Sequence, residues 1–292
     1  MKSNYACGVD IGGSHVTAAI IETISNSIVP GSVNRSRIDA SRSADDIVKD
    51  WTAIIKQSLS AVKEQKVNVG IAMPGPFDYE DGISFIKGQH KYEALYNVNV
   101  KELLAETLKQ PAHTITFAND AACFLQGEVA GGIAKGMESV AGLTLGTGLG
   151  SALFNNRIAE DADLWHSPFL DGIAEDYLSS RWFVSRYHAL SGKVINDVKE
   201  LTDISPFDEH AQIVFDEFGK NLGAFIKKII SGEDIEMVVL GGNIAKAMEL
   251  FRNGMDISLE GFTPVPIIQG SILGEHAALL GAVNINMLIT AL

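Results

Sequence analysis

Asp10-Ile11-Gly12-Gly13-Ser14 brings a carboxylate, two glycines and a hydroxyl together within five residues. Glycines let backbone N–H groups approach a phosphate closely, and Ser14 adds a further donor. Asp10 suits Mg²⁺ or its water shell, because that ion prefers oxygen ligands and keeps several waters. The same five residues also serve as an ordinary hairpin turn. Leu145-Gly146-Thr147-Gly148-Leu149-Gly150 offers a second set of amides with a hydroxyl. No Gly-Lys-Ser/Thr follows it, so it is not a Walker loop. It leads into a strand with its third glycine misplaced, so it is not a dinucleotide fingerprint either. Gly241-Gly242, after an apolar run, would let an adenine or ribose lie against backbone, or would form a strand-to-helix turn capped by Asn243. The order of the three motifs, each ending a strand, is what points to nucleotide phosphates.

The acid/base candidate is Asp120 in Phe117-Ala118-Asn119-Asp120-Ala121-Ala122, where a strand pattern becomes a helix pattern. Asn-Asp at that place caps a helix. It also suits a base that takes a proton from a sugar hydroxyl while Asn119 orients the ring. Phosphoryl transfer needs positioning, a metal and one placed base more than covalent chemistry. Asp163, His166 and Glu175 form a third polar group, of the kind that accepts from paired sugar hydroxyls. A lone histidine beside a tryptophan, as His166 is beside Trp165, is more often a structural residue, and metal binding is a further option with no cysteine nearby to close a zinc site.

These residues need strand ends to hold them. Tyr5 to Ile11 and Val16 to Ile21 flank the first glycine turn as a hairpin, and Val140 to Leu145 and Leu149 to Phe154 flank the second. Ser43 opens an amphipathic helix to about Lys63, with Asp45 and Asp46 in its first turn. Strands are predicted at Val67–Met73, Thr114–Phe117, Ile235–Leu240 and Val265–Ile268. Helices are predicted near Val100–Leu108, Asp120–Ile133, Gly172–Ala189, Phe207–Ile230 and from Glu275. Each half thus carries a hairpin with a glycine turn and further α/β elements, a structural repeat without a sequence repeat.

The 292 residues and 46% hydrophobic content allow two lobes with their own cores. A net charge of -13 excludes nucleic acid or an anionic membrane as the main partner. The first residues lack a signal-like apolar run, and no stretch reaches membrane-spanning length, so a cytoplasmic location is expected. Cys7 and Cys123 read as buried, reduced thiols.

Taken together, Asp10-Ile-Gly-Gly-Ser14, Pro74-Gly75, Asn119-Asp120-Ala-Ala, Gly146-Thr-Gly148, Asp163-x-x-His166, Glu175, Leu240-Gly-Gly242 and Leu273-Gly274-x-x-Ala277-x-x-x-Gly281-Ala282 span nearly the whole chain, and it resembles the ROK family. That family holds repressors, open-reading-frame proteins and sugar kinases. The resemblance implies an α/β, actin/hexokinase-like ATPase fold of two ribonuclease-H-like lobes, with ATP and sugar meeting in the cleft. The expected lobes are 1–118, completed by a C-terminal helix 275–292, and 119–274. It implies Asp120 as catalytic base and Asn119, Asp163, His166 and Glu175 on the sugar, with Gly75 near it. Asp10, Gly12, Gly13, Ser14, Gly146, Thr147 and Gly148 would serve phosphate and Mg²⁺, and Gly241 and Gly242 would border the adenosine. The implied reaction is ATP-dependent phosphorylation of a hexose hydroxyl, with glucose the first candidate.

Three departures qualify the resemblance. Ala162-Asp163-Leu164-Trp165-His166 stands where the family has Gly-Glu-Leu/Ile-Gly-His, so a shorter acid and an indole reshape the sugar pocket. The family's Cys-rich loop after the histidine is absent, so no zinc is expected. The short His166-to-Glu175 spacing is similar to the zinc-free polyphosphate glucokinase branch, which keeps polyphosphate open as the donor. A non-catalytic sugar-binding or regulatory protein is the other alternative. Nine residues precede Asp10, too few for a repressor's DNA-binding segment, and the retained Asp10, Asp120 and both turns oppose a pseudokinase. The apolar helix from about Phe215 offers a face for a homodimer.

Overall fold

A computed structural model describes residues 3–63, 67–89, 91–155, 157–232 and 234–290. The strands are β1 (Tyr5–Ile11), β2 (His15–Glu22), β3 (Ser27–Ile28), β4 (Asn34–Arg37), β5 (Asn68–Met73), β6 (Phe77–Asp78), β7 (Ile83–Ser84), β8 (Ile115–Asn119), β9 (Ser139–Leu145), β10 (Leu149–Asn155), β11 (Ile158–Asp161), β12 (Pro168–Phe169), β13 (Gly172–Ile173), β14 (Met237–Gly241) and β15 (Ile267–Gly270). The helices are α1 (Ala44–Leu59), α2 (Val100–Leu108), α3 (Asp120–Gly131), α4 (Ala174–Tyr177), α5 (Ser180–Ser191), α6 (Val198–Ile204), α7 (Glu209–Ile230), α8 (Gly242–Ala245), α9 (Met248–Leu259) and α10 (His276–Ile289).

Two compact units result: Met1–Lys135 with Ile158–Glu160 and Glu275–Leu292, and Gly136–Arg157 with Asp161–Gly274. In the first, strands run in the order β3-β2-β1-β5-β8, with β4 also on β2. β1 is antiparallel to β2 and parallel to β5, which is parallel to β8. In the second, β10-β9-β14-β15 neighbour one another in that order, with β9 antiparallel to β10 and parallel to β14. Each unit therefore has a hairpin followed by two parallel strands, as the repeated pattern predicts. The central strands are almost wholly buried, MVVLG in β14 and NVGIAM in β5, as parallel strands covered on both faces must be.

Helix starts follow the side chains that cap them. Ser43 caps α1 by accepting from the Asp46 N–H, and the helix buries Ile47, Val48, Trp51 and Ile55 as one stripe. Asp208 caps α7, whose Phe215, Phe218, Leu222 and Phe225 fill the second unit's core.

The boundary expected between residues 118 and 119 is corrected to follow α3, not precede it. The reason is the packing of α3 along α10. A Cβ on Gly127 would stand 2.0 Å from the Ala277 carbonyl oxygen, and one on Gly281 1.7 Å from that of Cys123, so the two backbones touch where side chains are missing. The single helix expected over 172–189 is also corrected. The chain forms the β12–β13 hairpin, then α4, then α5, because Ser180 turns aside to donate both its N–H (2.8 Å) and its hydroxyl (2.9 Å) to the Gly146 carbonyl. α6, capped by Asp197, and β4, whose sequence NRSR carries no apolar signal, were not legible in the sequence.

Gly281→Ala tests the helix contact. Alanine alone would favour a helix interior by about 1 kcal/mol, but here its methyl meets backbone. A net loss of about 2 kcal/mol is expected from overpacking, read as a lower urea midpoint. An unchanged midpoint would show that α10 can move off α3.

Candidate functional site

In the first unit the residues singled out by sequence gather at one edge. The pairings Asp10↔Ala72 and Met73↔Asn119 place Asp10, Gly75 and Asn119–Asp120 together at the carboxyl ends of β1, β5 and β8. That edge is where ligands bind in open parallel sheets. The turn after β1 is pinned from two sides: Gly12 N–H donates to the His15 carbonyl (2.9 Å), and the buried Tyr92 hydroxyl donates to the Gly12 carbonyl (2.5 Å). The amides of Gly13 and Ser14 have no protein acceptor among the described residues, so they stay available to an anion. The Ser14 hydroxyl lies 2.9 Å from His15 Nδ1.

Asn119 does cap α3: its Oδ1 accepts from Ala121 N–H (2.8 Å) and Ala122 N–H (3.1 Å). Its amide nitrogen donates to the Tyr79 hydroxyl (3.3 Å), which donates to the Met73 carbonyl (3.1 Å). A Cβ on Gly75 would lie 3.4 Å from the same hydroxyl, so Gly75 borders this pair. Tyr79 is a site residue that sequence reasoning missed.

Two carboxyls here resist ionisation. Burial pushes Asp10 up to about 7, Asp120 adds repulsion, Arg35 opposes the rise and Glu275 adds to it. Asp120 keeps exposed surface at the start of α3, yet the protein around it withholds enough solvent to raise its pKa. Hydrogen bonding from Ala121 N–H and the charge of Lys91 work the other way. Arg35 on β4 is ion-paired with Glu275. Neither Arg35 nor Lys91 belongs to a motif, and only the pairing Thr17↔Arg35 beside Asp10↔Thr17 brings Arg35 into this row.

The second unit repeats the arrangement with other chemistry. Gly146 N–H bonds the Gly148 carbonyl (3.0 Å), while the amides of Thr147 and Gly148 have no protein acceptor among the described residues. Glu175 reaches this turn: its Oε2 accepts from Leu149 N–H (3.1 Å), and its Oε1 from Arg181 (2.6 Å). Gly241 pairs with Thr144. Gly242, at φ +83°, sits so close that a Cβ would be 2.2 Å from the Leu145 carbonyl oxygen, so only glycine fits and the two glycine turns adjoin. Asn243 is not the cap expected: Gly241 holds that position without a side-chain bond, and Asn243 accepts from Lys246 (2.8 Å).

Asp163 and His166 lie on the turn Leu164–His166, 3.5 Å apart and both exposed, with the Trp165 ring 5.0 Å from that of His166. Glu175 bonds neither of them directly. Ala174 N–H, donating to the Ser167 carbonyl (3.0 Å), ties its helix to their turn. Cys7 and Cys123 are free and buried. Among the described residues no helix is long and apolar enough to cross a membrane.

Comparison with known proteins places these features in a wider set. The ROK family model matches residues 6–161. An N-acetylgalactosamine kinase of Shewanella sp. is 24% identical, covering 83% of each chain. The glucokinase of Thermotoga maritima is 26% identical, covering 95% of this chain and 96% of its own. In three dimensions the chain is similar to a ROK family glucokinase from Streptomyces griseus, solved with glucose and AMPPNP. That match has a TM-score of 0.76 at 20% identity, over 96% of this chain and 98% of that one. The fold is therefore the actin/hexokinase-like ATPase fold that the motifs led us to expect.

The Asp10 environment has a signed consequence. An unfolded aspartate ionises near ~4, whereas Asp10 in the folded chain does so at about 7. The folded state thus holds the proton more tightly, and stability present below pH ~4 is lost as pH rises toward 7. Asp10→Asn should match the wild type at pH 4 and exceed its thermal midpoint by several degrees at pH 8, in metal-free buffer. Equal midpoints at pH 8 would show that the charge of Asp10 costs the fold nothing.

Proposed function

The chain belongs to the ROK family, and from that premise we propose that it is a sugar kinase in which Asp120 takes the proton from a hexose hydroxyl while ATP donates the phosphoryl group. The observation that carries this reading is the Asp120 carboxyl itself. It stands at the start of α3, raised above the ordinary carboxylate range by the surrounding protein, at the same edge as the open amides of Gly13 and Ser14. A base whose pKa lies nearer the working pH takes a proton more effectively. Tethered through Oδ1 and Tyr79, Asn119 has a fixed orientation in which to meet a sugar, and Gly75 leaves room beside it.

On the nucleotide side, the open amides of Thr147 and Gly148 suit phosphate oxygens. The narrow backbone step at Gly242 suits the adenosine. The similar Streptomyces protein holds AMPPNP, an ATP analogue, which supports ATP as donor. In the second unit, Asp163, His166 and Glu175 are the residues for the sugar. With Glu175 already bonded to Leu149 N–H and Arg181, it can accept from a hydroxyl only through its remaining lone pairs.

Mg²⁺ fits the residues present. Two like-charged carboxyls that resist ionisation are relieved by a cation, and the described residues contain no group of three acids, histidines or cysteines that would enclose one. Mg²⁺ is held by one or two carboxylates together with substrate phosphates, here through Asp10. When bound it would neutralise charge on the phosphates. The relatives are named for different sugars, N-acetylgalactosamine and glucose, so the panel below includes amino sugars as well as hexoses.

An ADP-release assay with Mg-ATP over glucose, mannose, fructose, allose, N-acetylglucosamine and N-acetylmannosamine tests the activity. Turnover is expected on one of them. Asp120→Asn should lower kcat by about 10²–10⁴-fold, with sugar binding within about tenfold of wild type; retained turnover would remove Asp120 from the mechanism. In the wild type, the acid limb of kcat/KM should lie above the ordinary carboxylate range near ~4, because the base works only when ionised. A limb at or below that range would place the proton elsewhere.

A further inference from the structure

We propose that Lys91 is a catalytic residue of this transfer, its ammonium group meeting the oxygens of the phosphoryl group as that group passes from nucleotide to sugar. The assignment rests on the kinase reading above. Lys91 lies between β7 and the turn at Glu93–Leu95, outside every motif. Its stem runs beside the first glycine turn: a Cβ on Gly13 would stand 3.4 Å from Lys91 Cδ. The next residue fixes that approach. Tyr92 is fully buried, its N–H donates to the Ala40 carbonyl (2.9 Å) and its hydroxyl to Gly12 (2.5 Å), so the backbone carrying Lys91 is fastened to the turn it borders. The positive charge also reaches Asp120, where it favours the ionised carboxyl.

Lys91 has no hydrogen-bond or ion-pair partner among the described residues, in a chain with 36 acidic and 23 basic side chains. Arg35, the other cation near the two aspartates, is committed to Glu275. A half-buried lysine held between a turn of open amides and a base, yet bonded to neither, is placed for an anion that arrives with the substrate.

In the step, the sugar oxygen forms a bond to the γ-phosphorus, and the bond from that phosphorus to the β–γ bridging oxygen breaks. ADP leaves with the bonding pair, and the hydroxyl proton passes to the Asp120 carboxylate and then to water. Charge spreads over the three phosphoryl oxygens during transfer, and Lys91 offsets it there. An interaction of this kind raises kcat and leaves ground-state sugar binding nearly unchanged.

Lys91→Met and Lys91→Arg, checked for wild-type thermal midpoints, test this on the full chain with the sugar the panel identifies. Lys91→Met should lose about 10²-fold in kcat with sugar KM within about threefold, and Lys91→Arg should recover part of the loss by restoring the charge. A kcat for Lys91→Met close to wild type overturns the assignment and leaves the kinase standing. So does a raised sugar KM with kcat unchanged, which would make Lys91 a sugar ligand. A wild-type protein inactive on every sugar and donor overturns both.

Discussion

Two carboxyl groups share one edge of a buried sheet, and neither ionises freely there. Asp10 is held at about 7 by burial and by Asp120, and Asp120 is raised by its own surroundings. Left to themselves such groups would separate, because charge in a poorly solvated place is costly and like charges repel. They cannot, because each ends a strand of one parallel set: Asp10 is in register with Ala72, and Asn119 with Met73. Behind them, α10 crosses α3 with backbone against backbone at Gly127 and Gly281. The helix that begins with Asp120 is thereby fixed from its far side. Partial relief comes from the N-terminal end of that helix, which favours negative charge, and from two cations, Arg35 and Lys91. The packing thus maintains an electrostatic tension that a substrate or a cation can relieve.

The same strand plan in the second unit carries different chemistry. Counting along β1 and β9, Asp10 corresponds to Thr144, Gly12-Gly13-Ser14 to Gly146-Thr147-Gly148, and the in-register neighbours Ala72 and Gly241 to each other. Where the first unit ends its strand in an acid, the second has a neutral hydroxyl residue. Its nearby acid, Glu175, is satisfied by Leu149 N–H and Arg181. The first glycine turn thus stands beside two carboxyls that resist ionisation, and the second beside one that is already bonded.

What the sequence disclosed was local. Glycine turns, the Ser43 cap, the Asn119–Asp120 junction and the apolar runs depend on residues within a few positions of one another, and the structure keeps all of them. What it hid depends on chain-distant contact. Arg35 belongs to NRSR, a run without apolar signal, which becomes a strand only because β2 offers it an edge. Lys91 acquires significance from Gly13, far away along the chain. The break between α4 and α5 comes from Ser180 bonding Gly146, a pull that no helical periodicity in residues 172–189 encodes. The grouping of α3 with the first unit is hidden for the same reason: only α10 shows what its small residues accommodate.

The Arg35–Glu275 pair shows how finely the first unit's charge is divided. As an exposed ion pair it adds about 0–1 kcal/mol to stability, too little to explain its place. For Asp10 its two halves act oppositely, Arg35 favouring the carboxylate and Glu275 opposing it. With those influences set against each other, the protonation of Asp10 is governed by burial and by Asp120. The two aspartates therefore form one proton-binding system, in which loss of a proton from either makes the second loss harder. A cation reaching Asp10 would lower the cost of ionising Asp120 as well. The two carboxyls are thus linked through charge alone, with no movement of the backbone required.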